Sequence, residues 1–73
     1  MKNSFELVGG SGKNYGYAYS VNRLKDRFLQ SNEDKGTVIV RFVDVPPFNV
    51  TKETTNAEWN EFSNRYSVNL QND

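Results

Sequence analysis

The sequence predicts a small α+β domain of order β-β-α-β-α, with a closing strand possible after the last helix. Three observations predict it. Two stretches alternate with period two on either side of a glycine-rich loop. A nine-residue run, Thr37 to Val45, is dominated by β-branched residues and stops at Pro46-Pro47. Two further stretches repeat their apolar residues at helical spacing. The simplest packing is a mostly antiparallel sheet of three or four strands with both helices against it.

In chain order, Ser4 to Gly9 sets Phe5 and Leu7 on one side and Glu6 and Val8 on the other. Gly9-Gly10-Ser11-Gly12-Lys13-Asn14 is dense in turn formers. Tyr15-Gly16-Tyr17-Ala18-Tyr19 then places its three tyrosines on one face and its small residues on the other. Period two leaves open whether that face meets the helices or solvent. Ser20 suits an N-cap, and Val21, Leu24 and Phe28 form the apolar face of a helix near 20–30, widened by Leu29. Residues 31–36 read as a polar loop. The strand at 37–45 is apolar on both faces, which suits a central position. Residues 48–54 read as a loop or irregular extended segment, with Pro46-Pro47 presenting Phe48. Thr55 and Glu58 have the spacing of a capping box. Trp59, Phe62 and Tyr66 follow at helical spacing, giving a second helix near 55–66 whose aromatic stripe belongs in the core. Ser67 to Gln71 alternates again and fits a short last strand.

Composition narrows the chemistry. A chain of 73 residues makes one domain, 1–73. At this size the core supplies about 3–5 kcal/mol of net stability. The chain has no Cys and no His, so disulfides and the usual zinc and haem ligand sets are absent. An aromatic content of 14% argues for an ordered chain, because disordered ones are poor in such residues. Nine basic residues balance nine acidic ones. That balance disfavours a non-specific nucleic-acid binder, which needs basic excess, and an acidic DNA mimic alike. No apolar run reaches the ~20 residues of a membrane span, and the N-terminus lacks the apolar stretch of a secretion signal. The resulting expectation is a cytoplasmic protein that does not bind membranes.

The catalytic motifs fail on spacing. A Walker A loop would need Gly where Leu7 stands and Ser or Thr where Asn14 stands. The dinucleotide pattern misses because Gly16 comes one residue late. Without His or Cys the familiar nucleophile–base pairs are missing. Glu33-Asp34 fits a solvated loop, while Glu58 and Glu61 fit a helix N-terminus. The expectation is a non-enzyme with no cofactor and no metal.

The tyrosine stripe is the most distinctive feature. Tyrosine brings large contact area at low entropic cost to protein interfaces. It also stacks on unpaired bases when cations hold the phosphates. Lys13, Arg23 and Arg27 are placed to supply such charge, so the candidate partner-binding residues are Tyr15, Tyr17, Tyr19, Lys13, Arg23 and Arg27. Lys25 joins Arg23 and Arg27 on what otherwise reads as a solvated helix face. Arg41, inside an apolar strand, reads as an edge gatekeeper or a partner-facing charge.

The run from Ser11 to Asn22, with Ser-Gly, Tyr-Gly-Tyr and Ser-Val-Asn leading into a helix, resembles small accessory proteins of phages and prophages. The resemblance covers residues 11–22 only. It implies a product that acts in the bacterial host cell by blocking a host enzyme or defence complex, as anti-CRISPR proteins do. The expected partner is therefore a bacterial protein or a protein–nucleic acid complex. A single-stranded nucleic acid held directly comes second, and a homodimer closed by the tyrosine face third.

Overall fold

The computed structural model describes residues 2–67. The elements are β1 (Phe5–Gly9), β2 (Asn14–Ala18), α1 (Val21–Gln30), β3 (Lys35–Val40), β4 (Phe48–Thr51) and α2 (Asn56–Tyr66). All strand pairings are antiparallel, in the order β2-β1-β3-β4. The α+β class stands, and the sheet has four strands. The element order is β-β-α-β-β-α, because Phe48–Thr51 is a paired strand where a loop or irregular extended segment was expected. Each half of the chain is thus a hairpin followed by a helix. Residues 68–71 of the expected last strand lie outside the described residues.

The strand expected at 37–45 is shorter and earlier, at Lys35–Val40. Its start is fixed by β1, since Gly9 pairs with Gly36 and Val8 with Thr37. Gly36 allows that approach: a Cβ there would lie 3.1 Å from both the Phe28 ring and the Val8 carbonyl oxygen. Its end is fixed by Phe42, whose φ of 65° turns the backbone out of the ladder. Arg41 still donates its N–H to the Ser4 carbonyl at 2.9 Å.

Both helices cover one face of the sheet. Phe5, Leu7, Val38, Val40 and Val50 point to that face and meet Val21, Leu24 and Phe28 of α1 and Trp59 and Phe62 of α2. Burying each such side chain contributes about 1.5–3 kcal/mol, which is why the helical stripes find this face. Phe48, expected on an exposed loop, is half-buried instead. Its ring stacks on Phe62 at 4.7 Å between centroids and meets the Trp59 ring edge-to-face at 5.5 Å. The capping box of α2 forms as its spacing predicts: the Thr55 hydroxyl accepts from the Glu58 N–H, and the Glu58 carboxylate accepts from the Thr55 N–H. Ser20 holds the N-cap position of α1, yet its side chain makes no cap hydrogen bond. The other end of α1 is closed by Lys52, whose ammonium donates to the carbonyls of Phe28, Leu29 and Ser31.

The opposite face of the sheet carries Glu6, Val8, Tyr17, Thr37, Ile39 and Asn49, and neither helix covers it. Among the described residues, no helix is long and apolar enough to cross a membrane.

Candidate functional site

A bulge in β2 decides where the tyrosines go. Glu6 pairs with Tyr17 and Val8 with Asn14, so Tyr15 and Gly16 together stand opposite Leu7. Gly16 adopts a φ of 85°, a conformation that disfavours any residue with a Cβ. The extra residue inverts the alternation across it. Tyr15 turns to the helix side and packs against the core, while Tyr17 points to the uncovered face. The single three-tyrosine face expected from period two is therefore split.

Tyr15 is held on its side by Glu33, whose carboxylate accepts from the Tyr15 hydroxyl at 2.8 Å. The same carboxylate accepts from the Ser11 hydroxyl at 2.6 Å and from the Ser11 N–H at 3.1 Å. These bonds, led by the Ser11 hydroxyl, hold Glu33 below the ordinary carboxylate range. The Tyr15 phenol, donating to that carboxylate, is pushed above its ordinary value. Lys13 sits over the Tyr15 ring, 5.0 Å from its centroid. Lys13 and Tyr15 thus belong to a clamp at the loop end of the first hairpin.

Tyr17 and Tyr19 gather at the other end of β2. Their rings meet edge-to-face at 6.2 Å, with 51% and 64% of their surfaces exposed. The Arg41 guanidinium lies 4.2 Å from the Tyr17 ring centroid and 4.7 Å from that of Phe42, so it bridges two aromatic rings. Its Nη1 also donates to the Ser4 hydroxyl at 3.5 Å. Phe42 is 82% exposed, and it is the one non-glycine among the described residues with positive φ. A bulky residue there costs about 1–3 kcal/mol in backbone strain, a cost that concentrates at functional sites.

The remaining predicted cations, Arg23 and Arg27, come from α1 to the outer edge of β2, beside Tyr17 and Tyr19. Lys2, Tyr17, Tyr19, Ser20, Arg23 and Arg27 line one open groove. Arg27 also has a structural duty there, because its Nη1 donates to the carbonyls of Tyr15 and Tyr17 along the outer edge of β2. Of the six residues singled out by sequence, the fold brings together Tyr17, Tyr19, Arg23 and Arg27 and sets Lys13 and Tyr15 apart.

Phe42 and Lys2 were missed. Strand parity counted from Val38 and Val40 sends Phe42 into the core, and only the turn at its own backbone reverses that. The one signal was Asp44, a charge two residues later in an otherwise apolar run. Lys2 carried no signal, since its role depends on where β1 lies beside β2. Among the described residues no three His, Cys, Asp or Glu side chains gather as a metal site. The two carboxylates held below their usual range, Glu33 and Glu58, are both engaged by hydroxyl and backbone donors close to them. No family model, no curated protein and no solved structure matches the chain.

Proposed function

We propose that this chain is a non-catalytic binding module that engages a protein partner through Phe42, Arg41, Tyr17 and Tyr19. The observation that carries the reading is Phe42, an aromatic ring held out into solvent on a backbone conformation that works against it. Aromatic residues and arginine dominate the energetic centres of protein interfaces. Here they are already ordered: the guanidinium is stacked between two rings, so little side-chain entropy remains to be lost on docking. The resemblance of residues 11–22 to phage accessory proteins extends the proposal to an inhibitor of a bacterial enzyme or defence complex, CRISPR–Cas among them, acting in the host cytoplasm.

The test is capture by the tagged chain from bacterial lysate treated with nuclease, run beside Phe42→Gly. The proposal expects a stoichiometric protein with the native chain. For the variant it expects a loss of about 2 kcal/mol or more in affinity, roughly 30-fold. Glycine relieves the strain at this position and adds chain entropy to the unfolded state, so the variant should melt within a few degrees of the native chain. Undiminished capture by the folded variant would remove Phe42 from the interface and the proposal with it.

A further inference from the structure

We propose that the groove between α1 and the end of β2 holds the backbone of a single nucleic-acid strand, as a second ligand surface beside the Phe42 cluster. Among the described residues the groove is lined by three cations, Lys2, Arg23 and Arg27, and by no carboxylate. The whole chain is neutral, so this is a local concentration of charge and not a reflection of composition. Among the described residues the one ion pair within 4 Å is Arg65–Glu61 on α2, and so no carboxylate neutralises the groove cations at close range. Arg23 and Arg27 stand one helical turn apart on α1 and present their charges in a row.

One further group selects a nucleic-acid strand over an acidic peptide, and a second adds a donor for the anion. Tyr19 is mostly exposed and gives an unpaired base a ring to stack on. The Ser20 hydroxyl, which makes no cap hydrogen bond in α1, is free to donate to a phosphate oxygen. A duplex keeps its bases stacked on one another and leaves Tyr19 without a partner. The two surfaces share Tyr17 and Tyr19, but Phe42 and Arg41 belong to one alone and Lys2, Arg23 and Arg27 to the other, so each can fail alone.

The experiment is fluorescence anisotropy of a labelled oligothymidylate of about 12 nucleotides. With three phosphates neutralised, affinity should fall about 20-fold between about 50 and 200 mM salt. Arg23→Ala removes one of the three, and its salt dependence should shrink to about 7-fold. Arg65→Ala removes the same charge outside the groove lining and should match the native chain. Tyr19→Leu should weaken binding about tenfold, the loss of one base stack. Thermal melts of each variant establish that it is folded, and Arg27 is left intact because it holds β2. Three results would overturn the proposal: no binding at the lower salt, equal effects of Arg23→Ala and Arg65→Ala, or displacement of the strand by poly-L-glutamate as readily as by unlabelled oligothymidylate. The last would assign the groove to acidic protein segments.

Discussion

At Glu33 a single carboxylate fastens two loops that are distant in sequence. Ser11 lies 22 residues away and Tyr15 lies 18 away, and both donate to it. Each donor favours the charged form, so the folded protein holds this proton less tightly than the unfolded chain does. The sign follows directly. The stabilisation is complete above the ordinary value of 4.5 and is lost as pH falls through that value toward the lowered one. Glu58, bonded to the N–H and hydroxyl of Thr55, acts in the same direction. Urea unfolding at neutral pH and near pH 3 should therefore show a smaller acid-induced loss for Glu33→Gln than for the native chain. An equal loss in both would mean that the clamp is not ionised in the way described. Tyr15 gives the opposite dependence, with stability present below its ordinary value of 10 and lost as pH rises beyond it. Sequence reading placed Glu33 in a solvated loop and Tyr15 in a binding face. Nothing local distinguishes a loop acid that will meet a hairpin from one that will not.

Among the elements, those with sustained periodicity were legible and those governed by one backbone angle were not. Both helices fall within a residue or so of their expected ranges, because Val21, Leu24 and Phe28, and Trp59 with Phe62, each need a common face to bury. The capping box at Thr55 and Glu58 was visible for the same reason: its chemistry is local. β4 was hidden because it has only two side chains, Phe48 and Val50, directed at the core and follows two prolines. β2 was found as a strand but with the wrong parity, since alternation assumes an unbroken ladder and Gly16 breaks it. Gly16→Ala tests that account. Holding an alanine at a φ of 85° should cost about 1–2 kcal/mol, read as a lowered melting temperature. The Cβ itself has room, lying 3.6 Å from an Arg27 nitrogen, so the cost would come from the backbone. Unchanged stability would show that the bulge does not depend on glycine.

Seen as a whole, the molecule rests on one small core with Trp59 near its middle. That ring touches Phe28 of α1 and Phe48 of β4, and so joins the two halves of the chain. Its indole N–H is buried without an acceptor among the described residues, a cost of about 1–3 kcal/mol when a donor is left unpaired. Two substitutions separate packing from this penalty. Trp59→Ala should lose about 3–5 kcal/mol, enough to unfold much of so small a domain. Trp59→Phe keeps an aromatic ring and removes the orphan donor, so it should stay within about 1 kcal/mol of the native chain. Equal losses from both would argue that the N–H does find a partner. The fold class was readable because apolar patterning dictates which elements share a core. The proposed binding surface was only half readable, because Tyr17 and Tyr19 reach it from β2 and the residue after its end while Arg41 and Phe42 reach it from just past β3, and strand order is a property of the assembled sheet.

The pairing of β1 with β3 also sets an order of events. Phe5 lies beside Val40 and Gly9 beside Gly36, so the central strand receives its second neighbour only from the other half of the chain. While the polypeptide is being made, the first hairpin and α1 emerge with one edge of β1 bare and with no Trp59 beneath Phe28. A two-stranded ribbon of this kind is marginal in water. Consolidation must therefore wait for residues 35–66, and the closure of that long loop makes folding a late, concerted event that synthesis of the first half cannot begin.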